Sequence, residues 1–247
     1  MGRLDGRVAI VTGAAQGLGR AFAARLTADG AQVVVADRNF PKAQEVAKEI
    51  DGFAVEVDVA DEASVAAMAE AVMRRYGRIE ILVNNASIFS TLQMRPFEEI
   101  PVDEWDAVMA VNVKGAFLCA RAVLPAMRAA GYGKIVNISS ATVLIGRPNY
   151  LHYVTSKAAV IGMTRALATE LGPYNITVNA VTPGATETEI PRASVTPQQA
   201  ERIIAGQAIK RREKPEDLVG VVSFLSCTDS DFMTGQTLNV DGGAAFH

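Results

Sequence analysis

Short unbroken apolar runs alternate along this chain with longer stretches in which apolar residues recur every three or four positions. RVAIVTG at 7–13, QVVVAD at 32–37, GFAVEVDV at 52–59, RIEILVNNAS at 78–87, KIVNISS at 134–140, NITVNAVTPG at 175–184 and TLNVDGG at 237–243 read as strands. Continuous apolar character over so few residues marks strands covered on both faces, as in a parallel sheet. Between them, 17–30, 61–77, 103–130, 153–172 and 215–227 carry helical periodicity, with Asp61 suited to an N-cap and Pro215 to a helix start. The alternation predicts an α/β fold built on a seven-stranded, parallel, doubly wound sheet. Residues 1–247 are expected to form one domain, with a cofactor half at about 1–140 and a catalytic and substrate half at about 140–247. From 185 to 214 the rhythm is lost around Pro191 and Pro197, which predicts an insertion able to act as a lid.

Composition narrows the partners. At 247 residues and 49% apolar content the chain can bury a full core, and its net charge of −3 with no basic cluster argues against nucleic acid. No Lys/Arg-rich amphipathic stretch points to a membrane surface. The N-terminal run VAIV is too brief for a signal-peptide core or a membrane span, and Gly6 stands where myristoylation expects Ser or Thr, so a cytoplasmic protein is expected. Cys119 and Cys227 lack C-x-x-C spacing and read as buried free thiols, and with only His152 and His247 no metal site is expected. Small molecules are the expected partners.

The first strand runs into T-G-A-A-Q-G-L-G, with Gly13, Gly17 and Gly19 flanking Gln16 and Leu18. Glycines let a backbone turn tightly and approach a pyrophosphate, whose charge is met by N–H groups at a helix start. The spacing G-x-x-x-G-x-G departs from G-x-G-x-x-G, so an ordinary strand-to-helix turn is the competing reading. Asp37, at the end of the second strand, can accept hydrogen bonds from the ribose hydroxyls of NAD and would repel the 2′-phosphate of NADP. Arg38 opposes that choice, but Gln16 leaves the turn without a second cation, so NAD is favoured. Asp58 and Val59 end the third strand where adenine would lie. Asn84, Asn85, Ala86 and Ser87 end the fourth, at the edge where open α/β sheets bind ligands.

Tyr153 and Lys157 stand one helical turn apart, and Ser140 reaches the same sheet edge from the fifth strand. A tyrosine ordinarily titrates at about 10, and a neighbouring ammonium favours the phenolate, bringing it toward working range as an acid or base. A serine hydroxyl could hold a substrate oxygen beside it. Asn112, inside an apolar helical stretch, reads either as a local distortion with a bound water or as a satisfied core amide.

Together, T-G-x-x-x-G-x-G at 12–19, N-N-A at 84–86, Asn112, Ser140, Y-x-x-x-K at 153–157 and Pro183-Gly184 resemble the short-chain dehydrogenase/reductase family across the whole chain. The resemblance implies a Rossmann fold and a catalytic tetrad of Asn112, Ser140, Tyr153 and Lys157, with Lys157 also on the nicotinamide ribose. Pro183, Gly184, Thr186 and Thr188 would complete the NAD site, and Asn112 would hold a water linking Lys157 to solvent. Assembly as a homotetramer through 103–130, 153–172 and the last strand is also implied. Ser87 departs from the family's usual Gly after N-N-A, which affects pocket shape more than cofactor binding. The walls expected around substrate are Ser87, Phe89, Thr142, Leu144 and Tyr150, suited to an apolar or aromatic alcohol/ketone or alcohol/aldehyde pair. N-N-A-S and the ending TGQTLNVDGG are similar to pyridoxal 4-dehydrogenases and to aromatic secondary-alcohol dehydrogenases such as (S)-1-phenylethanol dehydrogenase. A 3-ketoacyl or sugar reductase, and a non-catalytic dinucleotide-sensing protein, are the alternatives.

Overall fold

The apolar runs become strands β1 (Val8–Thr12), β2 (Gln32–Asp37), β3 (Phe53–Glu56), β4 (Ile81–Asn84), β5 (Gly133–Ile138), β6 (Ile176–Pro183) and β7 (Thr237–Val240). A computed structural model describes residues 2–191 and 197–246, and in it these strands form one seven-stranded sheet in the order β3-β2-β1-β4-β5-β6-β7. Every pairing is parallel, with Ile10 beside both Val34 of β2 and Leu82 of β4. The chain order reverses beside β1, and the crevice past the carboxyl ends of β1 and β4 is where such sheets take ligands.

Both sheet faces are covered, which explains why β1, β4, β5 and β6 are buried along their whole length. On one face lie Phe22 and Leu26 of α1 (Gly17–Ala28), Val46 of α2 (Phe40–Glu49), and Leu218, Val222 and Leu225 of α9 (Pro215–Ser226). On the other lie Met68 and Val72 of α3 (Glu62–Tyr76), Val123 and Met127 of α5 (Gly115–Ala130), and Ala168 and Leu171 of α7 (Leu151–Leu171). Each fully buried Leu, Val or Phe contributes about 1.5–3 kcal/mol to that core.

Three local features differ from the pattern-based expectation. Helix α2 is additional: Asn39 caps it by accepting the Lys42 N–H, and Pro41 occupies its first turn. β3 ends at Glu56, after which Asp58 turns back and its carboxylate accepts the Ala60 N–H at 2.9 Å. The helix expected at 103–130 is α4 (Val102–Met109), a π-helical turn at Ala110–Lys114, and α5. Asp61 caps α3 as expected, accepting the N–H groups of Ala63 and Ser64.

The helical run Val102–Ala130 is long and apolar enough to cross a membrane. Its Leu118, Cys119, Val123 and Met127 nevertheless belong to the core. The insertion at 185–214 contains helix α8 (Pro197–Gly206), while 192–196 lie outside the described residues. It leaves and rejoins the fold at one point, where Thr186 bridges Glu213 and the Glu187 N–H donates to the Glu213 carbonyl at 2.8 Å. Its return docks on the C-terminal turn, with the Ile209 N–H on the Gly242 carbonyl at 2.9 Å.

Candidate active site

The glycine turn is shaped by contacts only glycine permits. Gly13 has φ +63°, and a Cβ there would stand 2.8 Å from the Ala86 Cα; one on Gly19 would stand 2.1 Å from the Gly13 oxygen. The Thr12 hydroxyl accepts the N–H groups of Asn85 and Ala86 at 3.0 and 3.1 Å. In return the Asn85 amide donates to the Thr12 and Gly13 carbonyls at 2.9 and 3.1 Å. β1 and β4 are thereby stitched together where the chain must part. Asp37 holds the far wall, accepting the Ala15 N–H at 3.0 Å and the Asn39 N–H at 2.9 Å.

A cavity of about 420 Å³ runs along this edge. Gly13, Gln16, Leu18, Gly19, Asp37, Asp58 and Val59 line it past the ends of β1, β2 and β3; Ser140, Tyr153 and Lys157 line it past β5, Asn85 and Ala86 line it past β4 between them, and Pro183, Gly184, Thr186 and Thr188 complete the lining past β6. A glycine-shaped turn against a helix start, a strand-end carboxylate and a cavity spanning these strand ends fit a dinucleotide.

Past β5, Ser140 Oγ accepts from the Thr142 hydroxyl at 2.9 Å and the Thr142 N–H at 3.2 Å, which leaves its own proton to be donated. Lys157 is buried and its Nζ donates to the Ile138 carbonyl at 2.9 Å. Burial pushes its pKa down to about 8, so the ammonium stays largely protonated at neutral pH. That ammonium lies 5.7 Å from the centre of the Tyr153 ring. The ring is itself packed 4.9 Å from Tyr150 and 5.0 Å from Phe89, centre to centre.

Four expected site residues do not line the cavity. Asn112 is buried, and its amide is spent on the Ile88 backbone at 2.8 and 3.3 Å and on the Ser156 hydroxyl at 3.0 Å. A satisfied amide and the π-helical distortion occur together at this position. Tyr150 stands behind Tyr153, its hydroxyl donating to the Phe89 carbonyl at 3.0 Å. Leu144, in the short helix α6 (Thr142–Ile145), yields the wall to Ile145. Gly17 has its N–H taken by Glu189. Ser87, Phe89 and Thr142 do line the cavity, and the Ser87 hydroxyl turns back onto the Ile88 carbonyl at 3.3 Å.

With this geometry in place, a family model described as enoyl-(acyl carrier protein) reductase matches residues 13–245. The chain belongs to the short-chain dehydrogenase/reductase family. Among its relatives, the 3-oxoacyl-[acyl-carrier-protein] reductase FabG of Thermotoga maritima is 40% identical over 98% of both chains. The sorbitol dehydrogenase of Cereibacter sphaeroides is 36% identical over 98% of both. A solved 3-ketoacyl-(acyl-carrier-protein) reductase of Brucella melitensis, complexed with NADH, superposes with a TM-score of 0.91 at 35% identity, covering 98% of this chain and 100% of its own.

This short-chain dehydrogenase/reductase also has site residues that its motifs do not announce. Lys42 of α2 donates to Gln16 at 3.1 Å, bringing to the glycine turn the second cation that Gln16 itself lacks. Arg147, Ile203 and Ala244 join the wall from a loop, α8 and the C-terminal turn. Only the fold brings these segments together. Among the described residues no group of three or more His, Cys, Asp and Glu side chains is placed to hold a metal ion.

Proposed function

We propose that this oxidoreductase interconverts a small, largely apolar or aromatic alcohol and its ketone or aldehyde, using NAD(H). The reading rests chiefly on the convergence of Ser140, Tyr153 and a buried Lys157 ammonium on one cavity. When bound, NAD accepts the hydride from the carbinol carbon. In that direction Ser140 donates to the substrate oxygen and Tyr153 takes the hydroxyl proton. Lys157, held by Ile138 beside the Tyr153 ring, favours the phenolate that does so. Its remaining N–H groups are available to ribose hydroxyls. Asp37 on the adenosine side supports NAD over NADP, against the nearby charges of Arg38 and Lys42. Phe89, Ile145 and Ile203 support an apolar substrate body.

A second reading, reduction of 3-ketoacyl thioesters, is favoured by the 40% identity to the Thermotoga maritima reductase. A non-catalytic dinucleotide sensor would not need Tyr153 and Lys157 together on the cavity wall. Initial rates read from NADH absorbance, across secondary alcohols, 3-ketoacyl thioesters and sugar alcohols, separate the three. Highest kcat/KM on aryl or alkyl secondary alcohols supports the first reading. Highest kcat/KM on the thioesters overturns it in favour of the second.

A further inference from the structure

The lid places a carboxylate where a phosphate would be expected. Glu189 Oε1 accepts the Gly17 N–H at 2.9 Å, from 172 positions along the chain. The next residue closes over it: Ile190 Cδ1 lies 2.7 Å from where a Cβ on Gly17 would stand. Gly17 opens α1, whose own N-cap residue Gln16 makes no side-chain cap bond and whose first turn holds no acidic residue. Unpaired N–H groups at a helix start draw an anion, and in this chain the lid supplies it. Slight desolvation of the largely exposed Glu189 carboxyl opposes its charge. The N–H groups of Gly17 and Glu189 itself, with Arg20 and Lys42 nearby, outweigh that and hold its carboxyl below the usual range.

We propose that Glu189 is a built-in surrogate for the cofactor's pyrophosphate, competing with the dinucleotide for the Gly17 N–H and yielding it, and the lid with it, as the dinucleotide binds. Two anions cannot share that N–H without direct repulsion, so Glu189 opposes binding and sets cofactor affinity. Cofactor-free and cofactor-bound proteins then differ in what Glu189 touches, and the lid is released by the same event that fills the cavity. This inference rests on the reading of the cavity as a dinucleotide site.

The test is calorimetric titration of wild type, Glu189→Gln and Glu189→Ala with ADP-ribose, which carries the pyrophosphate without the nicotinamide, and with adenosine, which carries neither. Glu189 is exposed, so both variants are expected to fold as wild type. Glu189→Ala should bind ADP-ribose about fivefold tighter, and Glu189→Gln tighter by a smaller factor, with adenosine affinity unchanged in both. Equal or weaker ADP-ribose binding by Glu189→Ala overturns the proposal, as does equal tightening for adenosine. Failure of all three proteins to bind ADP-ribose overturns the dinucleotide reading itself.

Discussion

Lys157 Nζ donates to the Ile138 carbonyl at 2.9 Å, so the last residue of β5 fixes the ammonium that α7 carries. Depressing a lysine pKa from 10.5 to about 8 by burial costs on the order of 3 kcal/mol. The sign follows from proton binding: that cost is present in full below pH 8 and fades as pH rises through 10.5, where the unfolded chain also loses its proton. Lys157→Met removes the cost but leaves the Ile138 carbonyl unpaired, a loss of about 1–3 kcal/mol. Its Tm at pH 7 should match or exceed wild type, while kcat collapses and NADH binding weakens. Thermal denaturation, steady-state rates and a binding titration measure this. Retained turnover, or a large fall in Tm, would contradict the assigned role.

Asp37 holds the glycine turn through the Ala15 N–H and lines the cavity where the proposed function puts the ribose. Asp37→Asn keeps one acceptor for the Ala15 N–H but removes the charge opposing a 2′-phosphate, leaving Arg38 and Lys42 to attract it. The preference for NAD over NADP in kcat/KM should fall by at least about tenfold, or 1.4 kcal/mol. The comparison needs one alcohol and both cofactors in each protein. A wild type that already prefers NADP, or a variant with an unchanged ratio, would show that Asp37 does not discriminate.

Glu213, where the 185–214 insertion rejoins the fold, is buried with Asp241 close by. Burial drives its carboxyl up to about 7, against the Gly184 N–H and the Thr186 hydroxyl and with help from the charges of Asp217 and Asp241. An acid raised on folding adds stability below its unfolded value of 4.5 and loses it as pH rises to about 7. Glu213→Gln should therefore match wild type near pH 4.5 and exceed its Tm by several degrees at pH 8. Parallel Tm profiles for the two proteins would mean that Glu213 stays ionised in the fold.

The sheet was legible because unbroken apolar runs such as VAIV and ILV have no stable place except between two helical layers. Helix α2 was harder to read: it opens on Asn39-Phe40-Pro41, a turn signal as much as a cap, and only every third or fourth position faces the sheet. Ser140, Tyr153 and Lys157 were legible because strand ends and helical spacing both aim them at one crevice. The places expected for Leu144 and Tyr150 failed because Ile145 takes the wall from α6 and the Tyr150 hydroxyl is committed to the Phe89 carbonyl. Asn112 carried a readable signal, an amide in an apolar helix, but its partners Ile88 and Ser156 lie 24 and 44 positions away. Glu189, Lys42 and Glu213 act through contacts that no local pattern encodes.

The central claim is that Tyr153 transfers the substrate proton in an NAD-dependent reaction. The decisive measurement pairs NADH titration with alcohol oxidation, followed by absorbance, in wild type and Tyr153→Phe. The ring of Phe retains the packing against Tyr150 and Phe89 and loses only the hydroxyl. The expected result is NADH affinity within about twofold of wild type with kcat lowered by at least about a hundredfold. A Tyr153→Phe protein that retains most of the wild-type rate would contradict the account.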